Sequence, residues 1–521
     1  MLLTCLTLGV LFAAPAFART SITATQPGGW SSWATVTVAW NEAQPQEGDW
    51  VGAFLVDWPA TYISWQPVSN SSADGTLQFR LLNGRHPFVF HYFRGDSVLA
   101  SSNVVSPLAE APTQGHLELL PGHSDSMTIS WTSGSSSGAS VRWGPSADSL
   151  TFSAAATSTT YTAKDLTDCM GIPPIAPRST RLANIGNHTL RCCCWPERSC
   201  YSDSTASELF LDPGQLHHAI MQPLAPATRV YYAFSAGGVG GSSSPVYSFM
   251  APRAAGDTTP FTFLVTSDMG IGGIAPDERG GATDNDPPVN GADRVVRAML
   301  ADPATSQDEF MLLNGDLSYA RGWPWIWERF FDMLQPLATA MPVMVSVGNH
   351  EVDTKENPFK AAAGGDSGGE CGEVALKRFT HLPSLEKMHY SFTYGTVHWV
   401  VLSTEHPIAP QLAFFAEDMA TVDRTVTPWV LVAMHRPMFN SQRTTLIMQM
   451  LREAWHGLFV QHRVDIVYTG HAHYYERACA AEDVNGTRCS NNTRDRPLYI
   501  TDGSAGAEFD PISTPFSNLT A

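Results

Sequence analysis

Apolar and polar positions follow different rhythms in the first and last parts of this chain. From Arg19 to about Leu108 they alternate, as in WATVTVAW at 33–40 and HPFVFHYFRG at 86–95. Turn residues separate these runs and no helical period appears, so the pattern predicts a small β-sandwich over 19–108. From residue 254 onward, short apolar runs alternate with amphipathic segments such as GADRVVRAMLAD (291–302), WERFFDMLQPLATA (327–340), QLAFFAEDMATVDR (411–424) and LIMQMLREAWHGLFVQH (446–462). Strand–helix alternation of that kind predicts an α/β domain over 254–521 with buried parallel or mixed strands.

Between the two lies a second β-rich stretch, 109–253, with runs such as MTISWTS, ASVRWG and TRVYYAFSAG. It reads as another antiparallel sandwich, of fibronectin type III character. A cysteine-rich insertion at 169–208 interrupts it and reads as a stapled surface loop. A change of composition to APRAAGDTT around Ala251–Thr259 marks a linker before the α/β part.

Five apolar runs of the last part each end in polar groups able to bind a metal. FTFLVTSDMG ends in Asp268, and FMLLNGDLSY in Asp316 and Tyr319. MPVMVSVGNHE supplies Asn349 and His350, WVLVAMHRP supplies His435, and VDIVYTGHAHYYE supplies His471 and His473. In open α/β sheets functional groups gather at the carboxyl ends of strands, and all five motifs sit there. Carboxylate, phenolate and amide oxygens suit hard cations, whereas imidazole suits iron, zinc and manganese. None of the five motifs contains cysteine, which argues against a structural thiolate zinc site. Singly, each has an ordinary structural reading, such as Asp268 capping a turn or Tyr319 packing in a core. Together and in this order they describe a two-metal hydrolytic site.

Composition narrows the partners. With 521 residues, 43% hydrophobic and 15% charged, the chain has material for several cores. Its balance of 31 Lys+Arg against 49 Asp+Glu argues against a nucleic-acid scaffold binder, which carries a basic face. A small anionic substrate remains compatible, because a local cation cluster outweighs the overall field. The first 18 residues form an apolar stretch ending Ala16-Phe17-Ala18, which reads as a signal peptide cleaved after Ala18. No later segment has membrane-spanning length. Cleavage removes Cys5 from nine cysteines and leaves an even number, as disulfides in an oxidising compartment require. Cys479 and Cys489, flanking a polar loop, are the candidates for a local bridge. Sequons at Asn70, Asn187, Asn485, Asn491 and Asn518 agree with a secreted glycoprotein.

The blocks DMG, GDLSY, GNHE, VAMH and GHAH, spanning 268–473, resemble the signature of the purple acid phosphatases within the calcineurin-like metallophosphoesterases. FLDPGQLHHAIM, SGGECG, LSTEH, HRPM and HYYERAC resemble the long plant and algal forms, as does the amino-terminal sandwich. The resemblance implies fibronectin type III-like modules followed by a catalytic domain with a central mixed β-sandwich flanked by helices. It implies Fe(III) on Asp268, Tyr319 and His473, a divalent Fe, Zn or Mn on Asn349, His435 and His471, and Asp316 bridging both. The implied reaction is acid hydrolysis of phosphate monoesters or anhydrides by a metal-bound hydroxide, with two cations roughly 3.5–4 Å apart. His350 would stabilise the transition state or protonate the leaving group. A phosphodiesterase or nucleotide pyrophosphatase with the same metals is one alternative, and a non-catalytic extracellular binding protein is another.

Two departures from the family pattern bear on substrate and completeness. Where small-substrate plant enzymes carry a histidine pair, this chain reads Gln442-Arg443-Thr444-Thr445, and Arg443 is a candidate phosphate clamp. Family members generally continue beyond the YITDGSAG segment, so an end at Ala521 reads as a catalytic domain short at its carboxyl side. The expected partners are small phosphorylated substrates. The oligomeric state stays open, a homodimer included.

Overall fold

A computed structural model describes residues 20–26, 28–135, 137–166, 182–185, 188–191, 210–237, 242–271, 291–320, 322–352, 367–441, 445–478, 496–507 and 510. Expectations for the signal peptide, Arg443, Cys479, Cys489, Asn187, Asn485, Asn491 and Asn518 therefore lie outside the described residues. Asn70 is exposed in the turn before residue 74. Cys371 is disulfide-bonded.

The first module contains β1 (Ser21–Thr25), β2 (Trp33–Asn41), β3 (Asp49–Leu55), β4 (Trp58–Pro67), β5 (Asp74–Leu82), β6 (Phe88–Arg94) and β7 (Ser97–Ser101). These build two sheets, ordered β1-β2-β5 and β4-β3-β6-β7. In β2 the buried positions are Ala34, Val36, Val38 and Trp40, so period-two alternation places one face in the core.

The second module contains β8 (Thr113–Leu119), β9 (Met127–Ser133), β10 (Ser140–Gly144), β11 (Phe152–Ala155) and β12 (Thr157–Thr159). After a hairpin of β13 (Leu182–Ile185) and β14 (His188–Arg191) follow β15 (Gln215–Met221), β16 (Arg229–Ser235) and β17 (Tyr247–Met250). Its two antiparallel sheets run β11-β10-β16-β17 and β12-β15-β9-β8. This sandwich shares a continuous core with the α/β part: Leu117, Trp131 and Phe234 join Phe310, Phe331 and Val343 in one buried cluster. Glu118, fully buried, also crosses that boundary, accepting from Thr380 N at 2.6 Å and meeting His381 Nδ1 at 2.9 Å. Burial opposes its ionisation, but His381 and His116 outweigh burial and hold it down at about 2.

The α/β part holds two sheets. Parallel β18 (Thr262–Thr266), β19 (Asp308–Asn314) and β20 (Val343–Ser346) form the first. The second contains β21 (Tyr390–Tyr394), β22 (Val397–Val401), β23 (Trp429–Ala433), β24 (Ile466–Thr469), β25 (Tyr475–Ala478) and β26 (Leu498–Asp502). Its order is β21-β22-β23-β24-β26-β25, parallel inside and antiparallel at both edges. Along β23, Leu431 and Ala433 enter the core between the sheets, whereas Val430 and Val432 enter the core under the helices. Both faces are thus buried, which is why this strand reads as a continuous apolar run.

Helix α1 (Ala292–Ala301) and helix α2 (Pro324–Ala338) follow the first and second metal-competent motifs. Residues 446–462, which the sequence predicts as one helix, are instead Leu446–Leu451, a π-helical turn at Arg452–His456, and Gly457–Gln461. From the widened turn Arg452 Nε donates to the Met438 carbonyl and His456 Nδ1 lies 2.7 Å from the Tyr499 hydroxyl. No helix among the described residues is long and apolar enough to cross a membrane.

Candidate metal centre

The eight strand-end residues named from sequence meet at the carboxyl ends of the two sheets. Tyr319 Oη, from the turn after β19, lies 2.9 Å from Asp268 Oδ1, 3.3 Å from Asp316 Oδ2 and 2.8 Å from His473 Nε2. His473 Nε2 is also 3.3 Å from Asp268 Oδ1. On the other side of Asp316, its Oδ2 is 3.2 Å from His435 Nε2, which is itself 3.2 Å from Asn349 Oδ1. Asp316, His435 and His471 offer ligand atoms that all lie within 4.8 Å of one another. Asp316 therefore touches both halves of the set.

Local backbone geometry makes this convergence possible. Asp268, Asp316, Tyr319 and His471 have φ of 59°, 50°, 54° and 67°, in the left-handed region that non-glycine residues rarely occupy. Each costs on the order of 1–3 kcal/mol, and such positions cluster at functional sites. A strand leaving its sheet through a left-handed residue turns at once and aims its side chain across the sheet ends. Gly348 gives the necessary clearance, since a Cβ there would stand 2.2 Å from Asp316 Oδ1 and 2.7 Å from His435 Nε2.

Residues outside the predicted set hold the site in place. Buried Glu351 accepts from Asp316 N (2.9 Å), Leu317 N (2.8 Å) and Gly348 N (3.0 Å), tying two motifs together. Burial and the Asp316 carboxylate push its own carboxyl up to about 8. Asp268 Oδ2 accepts from His471 N at 2.8 Å and from the Ser267 hydroxyl. His473 N donates to Asp510 at 3.0 Å, and His435 Nδ1 is 3.1 Å from the Asn314 carbonyl. Arg436 and Glu405 form a buried pair behind His471. Glu351 and Glu405 do stand within the quoted GNHE and LSTEH text, but sequence contains no sign of what they bond.

Electrostatics separate the two halves. Burial opposes ionisation of Asp316, yet His435 and His350 hold it well below the carboxylate range. Burial likewise opposes the charged form of His435, but Asp316 pushes its pKa up to about 10. Burial, then Arg436 and His435, keep His471 neutral. Burial and the carboxylates of Asp268 and Asp316 hold the Tyr319 phenol well above its ordinary range, so forming a phenolate here needs the field of a cation.

The donor set fits metal ions. Ligands of one cation with bonds near 2.1 Å stand ~3.0 Å apart across an octahedral right angle. The separations among Asp268, Tyr319, His473 and Asp316 are of this size. Oxygen donors of Asp, Tyr and Asn mixed with imidazole suit iron, zinc or manganese. His350, Tyr319, His471 and His473 are only half-buried and line the open side.

Comparison with known proteins agrees with this architecture. Residues 112–251 match the model of the purple acid phosphatase N-terminal domain, and 261–475 match that of the calcineurin-like phosphoesterases. Acid phosphatase A of Cryphonectria parasitica is 30% identical over 58% of this chain and 71% of its own length. The chain belongs to the purple acid phosphatase family, in its long plant-type form. Among other purple acid phosphatases, "Probable inactive purple acid phosphatase 9" of Arabidopsis thaliana is 30% identical over 62% of this chain. The match spans only 51% of that relative's length. The structure of purple acid phosphatase PPD1 from yellow lupin (Lupinus luteus) seeds shares the fold, with a TM-score of 0.74 at 24% identity. That alignment covers 95% of this chain and 88% of the lupin one.

Proposed function

We propose that this chain is an acid phosphatase that hydrolyses phosphate monoesters or anhydrides at a binuclear metal centre. The observation that carries this reading is Asp316, whose Oδ2 lies 3.3 Å from Tyr319 Oη on one side and 3.2 Å from His435 Nε2 on the other. Asp268, Tyr319 and His473 would hold Fe(III). Asn349, His435 and His471 would hold divalent Fe, Zn or Mn, and Asp316 would bind both ions. Such a pair supplies Lewis acidity toward a phosphoryl group and an acidified water as nucleophile.

The chain's own groups supply orientation and protons. His350 Nε2 is 3.9 Å from Asp316 Oδ2, and its ring centroid is 4.3 Å from that of Tyr319, on the open side. In this reading it would stabilise the transition state or give a proton to the departing alkoxide. Glu351 clamps the backbone of the Asp316 turn, so the bridging carboxylate is aimed before substrate arrives. The expected route remains secretory: a cleaved leader at 1–18, glycans on Asn70, Asn187, Asn485, Asn491 and Asn518, and a Cys479–Cys489 bridge. Arg443 keeps its proposed role as a phosphate clamp.

The word "inactive" in the names of several relatives favours a second reading, a metal-binding protein without turnover. Full-length protein supplied with iron and zinc separates the readings when p-nitrophenyl phosphate, its bis-ester and ATP are compared near pH 5. Turnover of the monoester or ATP above the bis-ester is expected. A strong bis-ester preference would make the chain a phosphodiesterase, and no turnover by the metal-loaded protein would leave the binding role.

A further inference from the structure

Helix α2 begins five residues beyond Tyr319, and Trp325 in its first turn lies in the core of another module. Trp325 belongs to the buried cluster of the amino-terminal sandwich, its ring 6.0 Å from that of Phe88 at an interplanar angle of 83°. Gly84 runs so close beneath it that a Cβ there would stand 2.3 Å from Trp325 Cζ3. Further along the helix, Asp332 accepts from Trp33 Nε1 at 2.7 Å, and Arg329 covers the Trp33 ring at 4.9 Å. Glu328, 3% exposed, is the meeting point of all three modules. It pairs with Arg85 of the first sandwich, accepts from Gln114 of the second, and lies 3.2 Å from Arg378 of the α/β part.

The turn joining Tyr319 to this helix is held just as firmly. Gly322 N and Trp327 Nε1 donate to the two oxygens of buried Glu370, each at 2.9 Å, and Trp323 N donates to the Ala320 carbonyl at 2.8 Å. Sandwich and helix are therefore linked by direct contacts to Gly322 and Ala320, either side of the turn that follows Tyr319, whose backbone sits at φ 54°. Without the sandwich, Trp325 would face water and Glu328 would lose the Arg85 cation, so the start of the helix would lose its seat while Phe330, Phe331 and Leu334 stay in the core shared with the α/β part.

We propose that the amino-terminal sandwich is a positioning element of the metal centre: by seating helix α2 it fixes the turn that aims Tyr319 at Asp268 and His473. This rests on the reading of Tyr319 as a metal ligand. Ligand sets are sensitive to such support, and loss of outer partners costs about 10- to 100-fold in metal affinity.

The test uses the full chain loaded with iron and zinc, and follows release of each metal to a chelator at a temperature well below melting. Trp325→Ala and Gly84→Val should release the Tyr319-side metal at least about tenfold faster than the unaltered protein. Trp325→Phe should restore slow release, and the metal on the His435 side should be unaffected. A folded Trp325→Ala or Gly84→Val protein with unaltered release would overturn the proposal, as would equal acceleration for both metals. If neither folds, Trp33→Phe, which removes the bond to Asp332 and shrinks the ring under Arg329, decides it by the same readout: faster Tyr319-side release supports the proposal and unaltered release rejects it. Unaltered protein that retains no metal would instead defeat the metal-centre reading before any variant is compared.

Discussion

Arg436 Nη1 donates to His471 Nε2 at 3.1 Å while the other edge of its guanidinium is held by Glu405, with Nε at 2.7 Å from Oε1 and Nη2 at 3.2 Å from Oε2. Both members of the pair are buried, and Thr404 joins them by accepting from Arg436 N and donating to Glu405. The ring of His471 is thus steered by a cation that is itself fixed by an anion. Removing the anion alone would leave a buried charge unpaired. Glu405→Ala should therefore destabilise the protein by about 3–5 kcal/mol, whereas a double replacement by apolar residues of similar volume should cost far less. Urea unfolding of both variants checks this, and equal losses would show that the pair's charges are not the cause.

Tyr319 joins Asp268, Asp316 and His473 through one oxygen. Tyr319→Phe keeps the ring and its contact with His350 but deletes that oxygen. A visible absorption band present in the iron-loaded protein should vanish in the variant, and iron should be lost at least about 10- to 100-fold more readily, since even an outer partner is worth that much. A band that survives the substitution would remove Tyr319 from the ligand set.

In the proposed mechanism His350, whose Nε2 lies 3.9 Å from Asp316 Oδ2, acts on the chemistry rather than as a metal ligand. His350→Gln should lower kcat by about 100- to 10,000-fold, the usual range for a general acid. The loss should be steepest for alkyl phosphates, whose leaving groups need a proton, and mild for p-nitrophenyl phosphate. Equal losses on both substrates would indicate a positioning role instead.

Glu370, beneath the Tyr319 turn, makes stability depend on pH. Burial pushes its carboxyl up to about 7 from an ordinary 4.5, against the bonds from Trp327 and Gly322. With the folded value raised, the native state binds more protons than the unfolded chain between these pH values. Stability should fall as pH rises from about 4.5 to about 7, by roughly 3 kcal/mol, and change little from this group beyond. Glu370→Gln, which does not titrate, should flatten that slope. An unchanged pH profile of urea midpoints in the variant would assign the slope to other groups.

The architecture was legible along the chain because strand alternation and strand–helix alternation are local patterns. β2 buries every second residue, and β23 is apolar throughout because it lies between two cores. Motif positions were legible for a related reason: a side chain just past a strand has left the sheet's hydrogen bonds, and five such ends carrying metal-competent groups are more than turn chemistry asks for. The π-helical turn was not legible, because Arg452 and His456 satisfy helical periodicity as well as their neighbours do. From that turn Arg452 reaches the carbonyl of Met438 and His456 the hydroxyl of Tyr499, neither of them part of that helix.

By itself the sequence determined the module order and which residue types stand at the strand ends, since both follow from short-range periodicity and ligand chemistry. Tertiary structure alone decided that Glu351 clamps the Asp316 turn and that Arg436 faces His471. It also decided that Trp325, which stands just before the amphipathic segment at 327–340, belongs to the core of a module more than 200 residues earlier. Those relationships join residues far apart in the chain. They depend on which surfaces pack together, and no local pattern of apolar and polar positions encodes that.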